Sequence, residues 1–303
     1  METFSLGIAW NWEYDADFVA GLEGVCLERN LTTYRIDPRS LPDALHGLRS
    51  EELAFSAFLD RASDDDESFE PLVKLISRSP TRIFNPLQHV EHAKDKATMH
   101  LEFITNGLNV PYTIIISPYN KKKEIELSLS ELSHLGRPFI IKPANTTGGG
   151  TGVVMGAESL KYVLDTRQHH KNDKYLLQET VRPTILGGHK AWFRVLYAFG
   201  EIIPCWWDDV THLYQPLSDD EEREYELTGL RHAAETIRKV CKLDFFSSEI
   251  AMDEKKKLVV VDYVNEVCDM RLQSRHSDGV PDNIVRRIQV LLADETKKSL
   301  SPR

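Results

Sequence analysis

The chain has 303 residues, of which 41% are hydrophobic, and this is enough to bury the cores of two or three domains. Its formal net charge of -10 excludes a broad nucleic-acid-binding surface but leaves room for a local basic pocket. The N-terminal segment lacks the features of a signal peptide, and no apolar run approaches the roughly 20 residues that cross a bilayer. Four widely spaced cysteines predict buried, reduced thiols and argue against a zinc site. We expect a cytoplasmic protein without membrane or nucleic-acid partners.

The first 85 residues predict a small parallel α/β domain. Residues 4–10, 31–36 and the stretch from 52 have the pattern of strands, and residues 16–30 place apolar side chains on one face of a helix. The acidic run at 63–67 is typical of a solvated loop, and another helix follows it. Strands that alternate with helix-length stretches favour a parallel sheet.

From residue 86 the pattern predicts helices and strands around an unusual loop. One helix is expected over residues 91–107, and strands at 112–117 and 138–144. Residues 148–152 then carry four glycines in five positions. A helix and a buried strand at 175–181 follow.

The last third predicts two hairpins separated by a helix. The first hairpin turns at Gly200, and residues 222–244 have the apolar stripe of an amphipathic helix. Strands at 245–253 and 257–265 are joined by a charged turn and followed by a closing helix. This part of the chain therefore contains the longest strands after the first domain.

Lys142 stands at the end of an apolar strand, a few residues before the glycine-rich loop. A Walker phosphate-binding loop needs its lysine after the glycines, and a Rossmann fingerprint needs a helix that starts inside the motif. Here the lysine comes first and residues 153–155 are β-like. The pattern favours a mobile loop that folds over nucleotide phosphates and offers them backbone N–H groups. A flexible hairpin whose lysine reaches solvent is the alternative.

Five segments, in this order, resemble the ATP-grasp superfamily, with the glutathione synthetase/RimK-like ligases as the closest branch. They are residues 92–113, 138–154, 175–181, 193–203 and 247–266. The resemblance implies an α/β (α+β) ATP-grasp fold in which two lobes, 86–180 and 181–303, grip ATP. Residues 1–85 would form the pre-ATP-grasp domain of this family.

The resemblance assigns ATP-binding roles to individual positions. Lys96 and Lys142 would contact phosphate groups, and Arg194 would stabilise the transferred phosphate, so that Lys142 and Arg194 form the catalytic pair. The further expected nucleotide contacts are Gly148, Gly149, Gly150, Thr151, Gly152, Gln178, Glu179, Val181 and Lys190.

Glu249, Asp262 and Asn265 stand where the family has its magnesium ligands, with Mn²⁺ as a possible substitute. Hard divalent cations prefer such oxygen donors, and carboxylates on apolar strands are costly to bury without a cationic partner. The family separates its last carboxylate and asparagine by two positions, whereas Asp262 and Asn265 are three apart. This spacing requires a bulge or a strand end, and Glu266 is the alternative third ligand.

The resemblance implies an ATP-dependent carboxylate–amine ligase that forms an amide through an acylphosphate. Its partners would be a small-molecule or peptide carboxylate and an amine acceptor. The alternatives are a small-molecule kinase of the same fold and an ATP-binding module without turnover. Relatives are often dimers or tetramers, so a homodimer is among the expected states. Candidate residues for the substrate cleft are Arg182, Arg271 and Arg275, together with Trp206, Trp207 and Asp208.

Overall fold

The computed structural model describes residues 1–145 and 152–300. Its strands are β1 (Glu2–Trp10), β2 (Thr33–Ile36), β3 (Leu53–Arg61), β4 (Arg82–Phe84), β5 (Thr113–Ile116), β6 (Phe139–Pro143), β7 (Val154–Ala157), β8 (Tyr175–Glu179), β9 (Ile185–Leu186), β10 (His189–Lys190), β11 (Trp192–Ala198), β12 (Glu201–Trp207), β13 (Tyr214–Pro216), β14 (Phe245–Met252) and β15 (Leu258–Asn265). Its α-helices are α1 (Ala16–Glu28), α2 (Leu41–Arg49), α3 (Glu70–Ile76), α4 (Leu87–Lys94), α5 (Lys96–Thr105), α6 (Leu129–Leu135), α7 (Leu160–Thr166), α8 (Asp219–Glu224), α9 (Gly229–Cys241) and α10 (Asp282–Ser299).

The N-terminal sheet has the strand order β2-β1-β3-β4, and all its pairs are parallel, as the sequence pattern predicts. The interior of β1 is a continuous buried run because helices cover both faces of a parallel sheet. One of the covering helices is the C-terminal helix α10, which packs against α1. Gln289 Nε2 on α10 donates to the Phe18 carbonyl on α1 at 3.0 Å.

The two larger antiparallel sheets follow one another along the chain. The central sheet has the order β5-β8-β6-β7 and the C-terminal sheet the order β13-β12-β11-β14-β15. The predicted hairpin between β11 and β12 is present, and Gly200 has the positive φ of 96° that its turn requires. One face of the C-terminal sheet shares a core with β1, α1 and α10, whereas the other packs on α5 and α9.

Each of the four cysteines is a buried free thiol, in agreement with the prediction from their spacing. Across residues 1–145 and 152–300, no helix is long and apolar enough to cross a membrane.

Two predicted helices are each divided in the structure. The expected helix over 91–107 is α4 and α5, because the backbone of Asp95 is extended and its carboxylate accepts hydrogen bonds from Ala97 N and Thr98 N as the N-cap of α5. The expected helix over 222–244 is α8 and α9, separated by a segment in which Glu226 has a φ of 56°. Asp95 matters for the site, since it makes Lys96 the first residue of a helix.

Helix α6 lies between β5 and β6, in a stretch for which no element was predicted from the sequence. Ser128 and Glu131 form a capping box at its start, with Ser128 Oγ accepting from Glu131 N at 3.1 Å. The spacing S-x-x-E is a readable signal for a helix start, so this element was predictable.

Polar contacts join the carboxyl ends of the N-terminal strands to the C-terminal sheet. Arg61, at the end of β3, binds both carboxylate oxygens of Asp15 at 2.7 and 2.8 Å and donates to the Cys268 carbonyl at 2.9 Å. Asn85 accepts from Phe245 N at 3.0 Å and donates to the Glu266 carbonyl at 3.1 Å. The two ends of the β14–β15 hairpin are therefore held by the parallel sheet.

We expect Asp15→Ala to lower the free energy of unfolding by about 3–5 kcal/mol, because it leaves the buried Arg61 without its counter-ion. Urea unfolding monitored by circular dichroism measures the change. The control is Asp17→Ala, whose exposed carboxylate lies 4.0 Å from Arg275 and which we expect to cost less than about 1 kcal/mol. Equal losses of unfolding free energy in both variants would show that burial of the Asp15–Arg61 pair does not contribute to stability.

Candidate active site

Four of the predicted phosphate and metal residues come together where the central and C-terminal sheets meet. Arg194 on β11, Glu249 on β14 and Asp262 on β15 are cross-strand neighbours, so their side chains form one row across the sheet. Lys142 on β6 reaches this row from the central sheet, and its Nζ lies 3.9 Å from Asp262 Oδ1. Two carboxylates, a guanidinium and an ammonium group therefore converge at β15.

Lys142 is almost completely buried, with 6% of its surface exposed. Its Nζ donates to the Val261 carbonyl at 3.2 Å and lies 5.2 Å from the centre of the Tyr263 ring. Val261 is an extra residue in β15 relative to β14, a position where a bulge interrupts the regular ladder. Burial lowers the pKa of Lys142 below its ordinary value, Asp262 counteracts this effect and Lys96 adds to it.

Lys96 begins α5 beside the strand that carries Lys142. Its backbone N–H donates to the Ala144 carbonyl at 3.1 Å, directly after β6. Its charge lowers the pKa of both Lys142 and Asp262, so its ammonium group acts on the same site. The predicted pair of lysines is thus brought together by the start of α5 and the end of β6.

Arg194 and Glu249 form a buried ion pair, with Nη2 and Oε1 2.7 Å apart. Trp192 Nε1 donates to the other carboxylate oxygen at 3.2 Å, and the Trp207 ring, expected in this cleft, lies 4.5 Å from the guanidinium. Burial opposes the charge of Arg194, but Glu249, Tyr214 and Asp262 together outweigh it and hold the pKa of Arg194 above its ordinary value. Burial raises the pKa of Glu249 despite Arg194, and Asp262 adds to the rise.

The spacing of Asp262 and Asn265 is accommodated by a bulge. Asp262 pairs with Glu249 and Asn265 pairs with Ser247, so three steps on β15 match two on β14. Because Ser247 and Glu249 lie two residues apart on the same face of β14, both candidate ligands on β15 face the same side as Glu249. The bulge that the sequence analysis required is therefore present.

The donors of this row fit a divalent cation. Glu249, Asp262 and Asn265 offer only oxygen donors suited to Mg²⁺ or Mn²⁺, and a cation would relieve the repulsion between the two carboxylates. Burial opposes ionisation of Asp262, yet Lys142, Lys96 and Arg194 hold its pKa below the ordinary value. In the described ranges no group of three or more histidine, cysteine or acidic side chains forms a metal site, so water and phosphate oxygens would complete the coordination.

The three predicted nucleotide contacts in residues 175–181 have different surroundings. Gln178 is fully buried, and its Nε2 donates to Tyr263 Oη at 3.0 Å. Glu179 exchanges two hydrogen bonds with the backbone of Tyr112, one from its N–H and one to its carboxylate. Val181 is half-buried against the core shared with the N-terminal sheet. Their contacts with adenine stay a prediction.

Most of the glycine-rich loop lies outside the described residues. The predicted contacts that fall there are Gly148, Gly149, Gly150 and Thr151. Gly152 has a φ of +76°, and a Cβ added to it would lie 3.2 Å from His170 Nε2, so a side chain is disfavoured here. Lys190 forms an ion pair with Asp209, with Nζ 2.6 Å from Oδ1.

The three arginines that were predicted to bind substrate differ in their ion pairs and in their exposure. Arg271 is held by two carboxylates, at 2.7 Å from Asp269 and 2.9 Å from Asp278. Arg182 is exposed after β8, and the side chain of Arg275 is 69% exposed. The two carboxylates already neutralise Arg271, so its predicted role toward a substrate has little support from its contacts.

A cavity of about 200 Å³ lies between the carboxyl ends of β3 and β4 and the end of β15. Glu266 lines it, with Oε1 3.7 Å from Lys94 Nζ, so this carboxylate is directed to the cavity. Lys96 lowers the pKa of Glu266, although burial raises it overall, and Lys96 also acts on Asp262. The cavity has an apolar wall together with the charged side chains Asp60, Arg61, Asp64, Glu70, Lys74, Glu91, Lys94 and Glu266.

Sequence reasoning missed His100 and Tyr263, which are buried beside Lys142. His100 lies one helical turn after Lys96, so the periodicity of α5 was a signal that it faces the same side. Burial, with a contribution from Lys142, lowers the pKa of His100 from 6.5 to about 4. The imidazole is therefore neutral at physiological pH.

We expect His100 to make the protein less stable as the pH falls from 6.5 to about 4, because the unfolded chain then binds a proton that the folded chain does not. His100→Gln should reduce this loss of unfolding free energy. Urea unfolding at pH 7 and pH 4.5 measures it, with His232→Gln on the exposed side of α9 as the control. An equal pH dependence in both variants would contradict the burial of a neutral imidazole.

Sequence comparison finds no matching protein family and no matching curated protein. Solved structures, however, match almost the whole chain. A RimK domain ATP-grasp protein from Sphaerobacter thermophilus DSM 20745 has a TM-score of 0.63 at 17% identity, covering 95% of this chain and 98% of its own. The ATP-grasp ligase PsnB, complexed with minimal precursor, Mg and ADP, has a TM-score of 0.60 at 13% identity, covering 97% and 98%. D-alanine–D-alanine ligase from Bacillus anthracis, complexed with ATP, has a TM-score of 0.65 at 13% identity, covering 97% of each chain.

These similarities establish the fold. The chain has the mixed α/β architecture of the ATP-grasp fold, so the predicted fold class is confirmed. At 13–17% identity, activity and substrates do not follow from the fold alone.

Proposed function

We propose that this protein is an ATP-dependent carboxylate–amine ligase that uses Mg²⁺. The observation that carries the proposal is the convergence of Lys142, Arg194, Glu249 and Asp262 at β15, within an ATP-grasp fold. Two solved relatives of this fold hold ATP or Mg and ADP, which supports the same ligands here. The buried free cysteines support a reducing compartment such as the cytoplasm.

In this reaction a substrate carboxylate attacks the γ-phosphorus of ATP, and the bond to the ADP oxygen breaks. The nitrogen of an amine then attacks the acyl carbon, phosphate leaves, and an amide remains. Such transfers depend on positioning and charge stabilisation, so no protein nucleophile is required. Lys142 and Lys96 would orient the phosphates, and Arg194 would stabilise the charge on the group being transferred.

A bound divalent cation would neutralise part of the triphosphate charge. Glu249, Asp262 and Asn265 would hold it, since their oxygens share one face of the β14–β15 hairpin. Trp192 keeps one oxygen of Glu249 oriented and Arg194 the other, so this carboxylate has a defined position before ligands bind.

We further propose that the cavity beside β15 receives the substrates. It is lined by Lys94 and Glu266 and has an apolar wall together with charged groups, which suits a small polar molecule or the end of a peptide. Solved structures of this fold include an enzyme complexed with a precursor peptide and a D-cycloserine synthetase, so both sizes of substrate occur on the fold.

An assay with hydroxylamine tests the proposed reaction. Purified protein is incubated with Mg-ATP, a panel of amino acids, small carboxylic acids and short peptides, and hydroxylamine as a general nucleophile. We expect ADP release that depends on one carboxylate and the formation of its hydroxamate. A phosphoester as the final product would identify a kinase instead, and calorimetry without heat from Mg-ATP would contradict nucleotide binding altogether.

A further inference from the structure

Tyr263 links three elements beneath the proposed phosphate site. Its Oη lies 2.7 Å from His100 Nδ1 on α5 and 3.0 Å from Gln178 Nε2 on β8, whereas Tyr263 itself belongs to β15. All three side chains are buried: Tyr263 and Gln178 are 0% exposed and His100 is 4% exposed. The network therefore connects the central sheet, the C-terminal sheet and the helix that starts with Lys96.

The ring of Tyr263 supports the ammonium group of Lys142. Lys142 Nζ lies 5.2 Å from the ring centre, within the range of an attractive cation–π contact. Phe103 meets the same ring edge-on, with the centres 5.5 Å apart. The plane of the ring is thus fixed by Phe103 and by two hydrogen bonds at its hydroxyl.

Burial favours a neutral His100, since it lowers the pKa of this imidazole to about 4. Gln178 Nε2 donates to Tyr263 Oη, and His100 Nδ1 shares a hydrogen bond with the same hydroxyl, which a neutral imidazole can form as donor or as acceptor. A neutral imidazole avoids placing a second cation near Lys142. His100 therefore holds the Tyr263 hydroxyl in place without adding a positive charge that would repel Lys142.

Lys142 keeps donors available for a ligand. Within the described residues its ammonium group makes one hydrogen bond, to the Val261 carbonyl, and its contact with Asp262 is long at 3.9 Å. An ammonium group has three donors. Its position is therefore determined largely by the bulge carbonyl and by the Tyr263 ring.

We propose that Tyr263 is a positioning residue, which the Gln178 and His100 hydrogen bonds hold under Lys142 so that this lysine is preorganised for the phosphates of Mg-ATP. This inference rests on the proposed function and extends it to Tyr263 and His100, which were not predicted from the sequence. Small displacements of a positioned group are costly, since a shift of about 1 Å can reduce a rate by roughly 100-fold. Gln178, expected from the sequence to contact the nucleotide, would then act through Tyr263.

The test is a double-mutant cycle between Tyr263→Phe and Lys142→Met, measured as the affinity for Mg-ATP by calorimetry. We expect Tyr263→Phe to weaken binding about tenfold in the otherwise unaltered protein and to have no further effect beside Lys142→Met. The matched control is Tyr197→Phe, which removes the hydroxyl of another tyrosine of the same core and should leave affinity unchanged.

The affinities measured in the double-mutant cycle decide whether Tyr263 positions Lys142. The same fold-loss of affinity in both backgrounds, or an unchanged affinity, would overturn the positioning role while leaving the proposed function intact. Absence of Mg-ATP binding by the unaltered protein would overturn both. If circular dichroism shows that Tyr263→Phe does not fold, His100→Gln replaces it, with the same expected coupling to Lys142.

Discussion

Lys142→Met is expected to reduce ATP-dependent turnover by about 100- to 1000-fold, the usual effect of removing one preorganised group that stabilises developing charge. The ammonium of Lys142 is buried and lies beside Asp262, so no solvent-exposed lysine can take its place. Methionine has a similar length but lacks both the charge and the hydrogen-bond donors of the ammonium group. ADP release with the substrate pair found in the hydroxylamine assay provides the measurement.

The same variant separates function from folding. Because burial of the Lys142 ammonium is unfavourable, replacing it by an apolar side chain should leave stability in urea unchanged or raised. The control is Lys161→Met, which removes a lysine whose side chain is 84% exposed on α7 and should keep full turnover. Unaltered turnover in Lys142→Met would refute the role of this residue at the phosphates.

Glu249→Ala is expected to remove Mg²⁺-dependent nucleotide binding and to lower the free energy of unfolding by about 3–5 kcal/mol. Both effects come from one carboxylate, which pairs with the buried Arg194 and faces Asp262 across the hairpin. Without it, the guanidinium loses its counter-ion and the cation loses a ligand. Calorimetry with ATP, with and without Mg²⁺, and urea unfolding measure the two effects.

The control for stability is Glu235→Ala, which breaks a half-exposed pair with Arg238 on α9 and should cost less than about 1 kcal/mol. Glu249→Gln separates the two effects further, since the amide retains a hydrogen-bond acceptor but not the charge. If Glu249→Ala bound Mg-ATP as tightly as the unaltered protein, the metal site would have to lie elsewhere.

The members of the row of charged residues were predicted from the resemblance to the ATP-grasp superfamily, and their positions on apolar strands supported that prediction. Arg194, Glu249 and Asp262 interrupt buried runs, and such positions need a partner. Their order along the chain then agreed with one family pattern. The register that makes them neighbours depends on pairing between distant segments, which a local pattern does not contain.

The side chain of Gln178 could not be oriented from the sequence. Residues 175–178 of β8 are all buried, so alternation gives no information on which face meets the nucleotide and which meets the core. The ion-pair partners of Arg271 could not be predicted from the sequence for a related reason. Its second carboxylate, Asp278, comes near only through a turn whose geometry is not evident from the residues between them.

The helix boundary at Asp95 shows the competition between two local signals. Apolar periodicity continues from α4 into α5, which predicts one helix. Aspartate, by contrast, is a favoured N-cap residue, and the Asp95 carboxylate accepts hydrogen bonds from the N–H groups of Ala97 and Thr98, which favours a new helix start. The second signal prevails because the Asp95 carboxylate also pairs with Lys174, at 2.8 Å. That contact depends on the tertiary fold.

The contacts of Arg61 and Asn85 have a consequence for recombination among distant homologues. Arg61 binds the Cys268 carbonyl, and Asn85 binds the backbone at Phe245 and Glu266, so both ends of the proposed metal hairpin are anchored by the first 85 residues. A chimera joined at Pro86 would exchange these anchors for those of another parent. We expect such a chimera to lose activity when its two segments come from different parents. The N-terminal sheet and the hairpin would therefore have to be exchanged together.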